Sequence, residues 1–169
     1  MKKNLVLLGM MGVGKTTAGK NVAKKQSLEF IDTDLFIEKK CSMKISEIFK
    51  KKGEKFFRNE EEKEVLKLIK KKNCVIALGG GAFINDSIRI NVLKNSISIW
   101  LDINLQTLTK RIKWNKKRPL LDYKNNKKII NQLYSKRKNI YKLANYRIDC
   151  NNLDKNSIAD KIINLYEKQ

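Results

Sequence analysis

Two kinds of hydrophobic pattern alternate along the chain. Short apolar runs occur at Asn4–Gly9 (NLVLLG), Leu28–Asp32 (LEFID), Val75–Leu78 (VIAL) and Ile97–Leu101 (ISIWL), with a weaker one at Tyr146–Cys150 (YRIDC). Continuous runs, rather than strict alternation, are the pattern of strands covered on both faces, as in parallel sheets. Between them lie stretches with helical spacing: Lys15–Lys25, Asp34–Lys40, Ser46–Lys52, Glu54–Lys71, Ser87–Lys94, Leu105–Lys113, Ile129–Leu143 and Ser157–Tyr166. Strand–helix alternation predicts a three-layer α/β domain with helices on both faces of the sheet. No internal repeat and no Pro/Ser-rich linker divides the chain, so residues 1–169 read as one domain. Trp114–Lys128 is polar and lysine-rich and holds the only proline, which marks it as a mobile loop.

Composition narrows the class. A chain of about 150 residues buries roughly 70% of its unfolded surface, so 169 residues supply a core without disulfides or structural metal. With 8 Gly and 1 Pro the chain is neither collagen-like nor disordered. No apolar run approaches the ~20 residues of a spanning helix, so no membrane partner is expected. The N-terminal apolar run is too brief for a secretory signal. Cys41, Cys74 and Cys150 are widely spaced, and there is no histidine to complete a metal site. They read as reduced thiols of a cytoplasmic protein.

The formal charge is +21, from 38 Lys+Arg against 17 Asp+Glu. Such an excess suggests nucleic acid. Yet it is mostly lysine and accompanies many Asn and Ile, residues that A/T-rich codons supply. Lys110 to Lys142 carries 13 basic residues and one acid, Asp122. That segment suits a solvated face, a polynucleotide track or closure over a small polyphosphate.

Gly9-Met10-Met11-Gly12-Val13-Gly14-Lys15-Thr16 matches G-x-x-x-x-G-K-[ST] directly after a strand and at the opening of a helix. Its glycines let successive N–H groups point at phosphate oxygens, and the helix adds its positive end. Lys15 would reach the terminal phosphates, and the Thr16 hydroxyl would ligate Mg²⁺. The motif specifies a nucleoside triphosphate and is silent about the acceptor.

Asp32-Thr33-Asp34 closes the second strand, at the edge where parallel sheets place their ligands. In an extended segment the two carboxylates share a side. One could hold Mg²⁺ through water, and the other could take a proton from a substrate hydroxyl. Helix capping by Asp34 is the alternative. The third strand ends in no acid, which leaves Asp32 as the metal candidate. Arg58 and Glu61, three residues apart, form either a surface ion pair or a carboxylate clamp in which Glu61 orients Arg58. Gly79-Gly80-Gly81 follows the third strand and implies close backbone approach to a ligand. Arg118, in Arg118-Pro119-Leu120-Leu121, is either solvated or a cationic partner of the transferring phosphoryl group; Arg111 is either solvated or stacked on a base; and Arg137 follows on the next helix, with Tyr141 four residues on.

The set GMMGVGKTT, DTD, GEKFFRNEE, GGG, RPLL and R-x-x-x-Y-x-x-A resembles bacterial shikimate kinase in order and spacing over about residues 4–150. The resemblance implies a nucleoside-monophosphate-kinase-like fold with a five-stranded parallel sheet of order 2-3-1-4-5. It implies Mg·ATP-dependent phosphorylation of the 3-hydroxyl of shikimate, on the route to chorismate. By position, ATP would be held by Gly12, Val13, Gly14, Lys15, Thr16, Thr17, Arg111 and Arg118, with Mg²⁺ at Thr16 and Asp32. Shikimate would be held by Asp34, Arg58, Gly79, Gly80, Gly81 and Arg137. Lys15, Asp34 and Arg118 would be catalytic, Asp34 as base. Residues 33–62 would form the substrate-binding region and 112–125 a lid. The family often has proline where Asn139 stands.

Two other classes fit parts of the sequence. A related kinase acting on gluconate or a nucleoside monophosphate would share the phosphate loop. A basic nucleic-acid-binding protein would need aromatic stacking platforms, for which 8% aromatic content is thin. The expectation is therefore a monomer acting on ATP and shikimate, without a nucleic-acid partner.

Overall fold

The computed structural model describes residues 3–113 and 126–168. Five parallel strands, β1 (Asn4–Leu8), β2 (Glu29–Asp32), β3 (Cys74–Ala77), β4 (Ser96–Asp102) and β5 (Tyr146–Asp149), form one sheet of order β2-β3-β1-β4-β5. The expected order is the observed one. Every residue of β1, β3 and β4 is buried, which requires cover on both faces and accounts for their unbroken apolar runs.

Among the described residues seven helices supply that cover: α1 (Lys15–Lys25), α2 (Thr33–Cys41), α3 (Ile45–Leu68), α4 (Asp86–Asn95), α5 (Leu105–Lys113), α6 (Asn126–Tyr141) and α7 (Lys155–Glu167). α1 packs on α7, α4 along β4, and α5 on α6. A 3₁₀ turn over Ala82–Ile84 has no counterpart in the hydrophobic pattern. The polar positions of β4 also depart from it: Ser98 Oγ and N both donate to Asn145 Oδ1, at 2.7 and 2.9 Å, and Asp102 pairs with Arg147.

The two helical stretches expected on either side of Gly53 form α3, broken where expected, because Gly53 sits at φ 82°, ψ 164°. That region is essentially reserved for glycine. α6 runs through Asn139 to Tyr141 without interruption. The chain from α2 into α3 encloses its own apolar cluster of Ile37, Ile48 and Phe57, with the Phe49 and Phe57 rings 5.0 Å apart. Lys40 ties the two helices from outside, 2.6 Å from both Glu60 and Glu64. At the opposite sheet edge buried Asn4 donates to the carbonyls of Ile69 (3.0 Å) and Lys71 (2.6 Å) and accepts from Cys74 N, closing the end of α3. Cys74 and Cys150 are buried free thiols and Cys41 is half-buried.

Because nothing crowds a Cβ at residue 53, the cost of Gly53→Ala is purely conformational. We expect destabilisation of about 1–3 kcal/mol, read as a lower urea midpoint at unchanged m. An unchanged midpoint would mean that α3 straightens through residue 53 without strain.

Candidate active site

The functional residues gather at the carboxyl edge of the sheet. Gly14 caps α1 at φ 105°, and no side chain fills the cap or brings acid to the first turn. The first N–H groups of α1 are thus left to an anion. Lys15 Nζ lies back over the loop, donating to the carbonyls of Gly9 (2.8 Å) and Met10 (3.0 Å). Arg111, exposed on α5, donates to Val13 O at 3.3 Å and so stands beside the loop.

Asp32 and Asp34 do not share one extended segment. β2 ends at Asp32, and α2 begins at Thr33. Asp32, not Asp34, is the N-cap: its Oδ1 accepts from Asp34 N (3.1 Å) and Leu35 N (3.3 Å). The side-by-side reading of the two carboxylates, and the capping reading of Asp34, are both corrected by this early start of the helix. Asp32 Oδ2 accepts from Thr16 Oγ1 at 2.6 Å, joining the phosphate loop to β2. Buried Thr33 accepts from Gly79 N at 2.9 Å, a role with no sequence signal.

Each of the three consecutive glycines makes room for a different side chain. A Cβ on Gly79 would collide with Asp34 Oδ1 and stand 2.9 Å from Glu61 Oε1. On Gly80 it would stand 3.4 Å from Arg137 Nη1, and on Gly81 2.8 and 2.9 Å from the Arg58 guanidinium nitrogens. Gly80 O accepts from Arg137 Nη1 at 3.2 Å and from the Tyr141 hydroxyl. The triplet thus supplies space for side chains, and the Gly79 N–H, expected to face the ligand, is taken by Thr33.

Arg58 Nη1 donates to Glu61 Oε2 at 2.6 Å, and Glu54 Oε1 lies 3.3 Å from its Nε and Nη2. Glu61 is 2% exposed, so this is no surface pair, and its Oε1 has no hydrogen-bond partner among the described residues. Burial pushes the Glu61 carboxyl above its ordinary value against the pull of Arg58, and the charge of Asp34 adds to the rise. Burial also opposes the charge on Arg58, but Glu61 and Glu54 outweigh it and raise that pKa. The orphaned oxygen makes burial the dominant influence at Glu61. Arg137 is 8% exposed, and burial holds Tyr141 up to about 12, a neutral donor.

The arrangement sets a phosphate-binding helix end beside a pocket with one half-buried acid and two guanidinium groups. That is a site for moving a phosphoryl group onto a small anionic acceptor. A family model described as shikimate kinase matches residues 11–167. The chain belongs to the shikimate kinase family. The match reaches past residue 150 into α7. A shikimate kinase of Thermoanaerobacter pseudethanolicus is 42% identical over 164 residues, covering 97% of this chain and 96% of that protein. A solved shikimate kinase from Acinetobacter baumannii, in complex with shikimate, matches with TM-score 0.95 at 33% identity over 99% of this chain and 94% of that one. A gluconokinase from Sinorhizobium meliloti matches with TM-score 0.61 at 11% identity over 99% and 95%, a likeness of fold alone. Arg118, the RPLL stretch and nearly all of the expected 112–125 lid lie outside the described residues of this shikimate kinase family chain.

A buried carboxyl raised above 4.5 binds its proton more tightly in the native than in the unfolded chain. Its stabilising contribution is full below 4.5 and is lost as pH rises through the raised value. Relative to Glu61→Gln, the wild type should therefore lose thermal stability as pH rises above 4.5. A wild-type advantage that grows over that range would mean the Arg58 pair governs Glu61.

Proposed function

We infer that this chain transfers the γ-phosphoryl group of ATP to the 3-hydroxyl of shikimate, giving shikimate 3-phosphate on the route to chorismate and the aromatic amino acids. The observation that carries it is the meeting of Asp34, Arg58 and Arg137 over Gly79–Gly81, beside the phosphate loop. Shikimate brings one carboxylate and three hydroxyls. Two guanidinium groups suit the carboxylate, since planar forks bind it bidentately. Asp34 then accepts the proton of the hydroxyl that attacks the γ-phosphorus.

Lys15 leaves the Gly9 and Met10 carbonyls for the β- and γ-phosphates, which the N–H groups from Gly12 to Thr17 cradle. Arg111 stands at the adenosine side, and Arg118 meets charge on the transferring group. The Thr16 hydroxyl and Asp32 carboxylate, 2.6 Å apart, are the hard oxygen donors that Mg²⁺ takes alongside phosphate oxygens. When bound, Mg²⁺ neutralises charge on the phosphates. Asp32 also fixes α2, so the residue that serves the metal orients the helix bearing the base. Residues 33–62, with their separate apolar cluster, form the acceptor-binding region.

Among the described residues no helix is long and apolar enough to cross a membrane. Buried unpaired thiols suit the cytoplasm. The exposed large apolar side chains fall on three separate parts of the chain, Leu35 and Phe36 on α2, Ile90 on α4 and Leu143 after α6, which favours a monomer.

ADP production from Mg·ATP should depend on shikimate and not on gluconate or a nucleoside monophosphate; turnover with either of those instead overturns the acceptor. Arg58→Ala should raise the KM for shikimate roughly tenfold to a hundredfold, the loss of a charge-assisted bond, while the KM for ATP holds. An unchanged shikimate KM removes the clamp. Asp34→Asn should lower kcat by about 10²–10⁴, and a rate within a factor of about three of wild type would show that Asp34 is not the base.

A further inference from the structure

We propose that Asp102, at the end of β4, is a positioning residue for the acceptor: it anchors Tyr134 of α6 and so aims Arg137 of the same helix at the acceptor carboxylate. The inference rests on the reading of Arg137 given above.

Asp102 is 5% exposed and fully engaged. Its Oδ2 accepts from Arg147 Nε (3.0 Å) and Nη2 (2.8 Å), and its Oδ1 accepts from the Tyr134 hydroxyl at 3.1 Å. Its carbonyl accepts from Cys150 N at 2.8 Å. β4 already pairs with β5 through its backbone, so the Tyr134 hydroxyl adds nothing to the sheet. Its effect falls on α6. Tyr134 is only half-buried, and its hydroxyl could be satisfied by water without the carboxylate. Burial and the Asp102 charge hold its pKa up to about 12, so it donates throughout the neutral range.

Tyr134, Arg137 and Tyr141 are spaced by three and four residues and share one face of α6. Each makes a polar contact at the carboxyl edge of the sheet: Tyr134 on Asp102, Arg137 and Tyr141 on Gly80 O. Arg137 therefore lies between two fixed points, one a turn before it and one a turn after. A second route joins them. The Arg147 guanidinium lies 5.1 Å from the Trp100 ring centre, and Trp100 lies 6.0 Å from Tyr141. Asp102 thus holds both ends of the face that carries Arg137, the nearer directly and the farther through Arg147 and Trp100. The hydrogen bond to Gly80 O uses one of the five donors of Arg137. The guanidinium, which also contacts Tyr141, can meet a carboxylate only while the helix keeps its place, and displacements of about 1 Å weaken such contacts severely.

Tyr134→Phe removes one hydroxyl and keeps the ring. It should weaken shikimate binding by about threefold to tenfold, measured by titration calorimetry and as KM, with kcat and the KM for ATP unchanged. The decisive measurement repeats the substitution in an Arg137→Ala background, where Tyr134→Phe should have no further effect on shikimate affinity. Equal factors in both backgrounds, or no effect in the wild type, would overturn the proposal and leave Tyr134 a structural group. If Arg137→Ala alone leaves shikimate affinity unchanged, the carboxylate reading of Arg137 falls, and this inference with it. Asp102→Asn, which keeps the shape and removes the charge, should reproduce the Tyr134→Phe pattern; full affinity in that variant also overturns the proposal.

Discussion

The space over Gly79, Gly80 and Gly81 is the constraint on which the proposed acceptor site depends. Asp34 from α2, Arg58 and Glu61 from α3, and Arg137 from α6 all reach this one stretch of backbone. Side chains at those three positions would push at least two of them away. A methyl group at Gly79 meets carboxylate oxygens, and one at Gly81 meets guanidinium nitrogens, so the charged groups would have to move from where they oppose one another. Charge complementarity in this pocket is thus secondary to the absence of three Cβ atoms.

That packing leaves an electrostatic imbalance. Glu61 is buried with one oxygen satisfied by Arg58 and one by nothing among the described residues. A buried carboxylate with an orphaned oxygen is costly. Binding an anionic acceptor gives a reason for it to persist. An arginine left to solvent would sample many rotamers, whereas one clamped on a rigid carboxylate is pre-organised for a ligand. Elsewhere acids serve as ties. Lys40 joins α2 to α3 through Glu60 and Glu64, and Asp32 joins the phosphate loop to α2. The surplus of 21 positive charges is carried mainly by lysine outside these contacts, and Arg111 and Arg137, within the basic run from Lys110 to Lys142, turn to the phosphate loop and to Gly80.

Legibility in the sequence follows the range of the interactions. β1 and β3 can be read because both faces are buried, and the break in α3 because a glycine stands at a φ other residues avoid. β4 reads short, since its buried Ser96 and Asp102 look like strand ends; Asp102 is compensated by Arg147, 45 residues along the chain. Which of Asp32 and Asp34 caps α2 is invisible because it turns on where a helix begins. Thr33 and Asp102 carry no signal at all, since their partners, Gly79 and Tyr134, are distant in sequence.

The two halves of the site differ in the same way. The phosphate loop is contiguous from Gly9 to Thr16, and local backbone geometry builds it, so a short motif suffices to find it. The proposed acceptor half draws on residues 34, 58, 79–81 and 137, and no single local pattern contains it. Its geometry depends on α2 and α3 enclosing Ile37, Ile48 and Phe57 as a separate core, and on α6 being held at Gly80 and Asp102. Substitutions in that small core or at those anchors therefore act on the acceptor with little reach into the nucleotide site. The phosphate loop and the proposed acceptor site are built by parts of the fold with separate stabilising contacts, joined through the Thr16–Asp32 hydrogen bond and the approach of Gly80 to Met11 N, where a Cβ would stand 3.3 Å away.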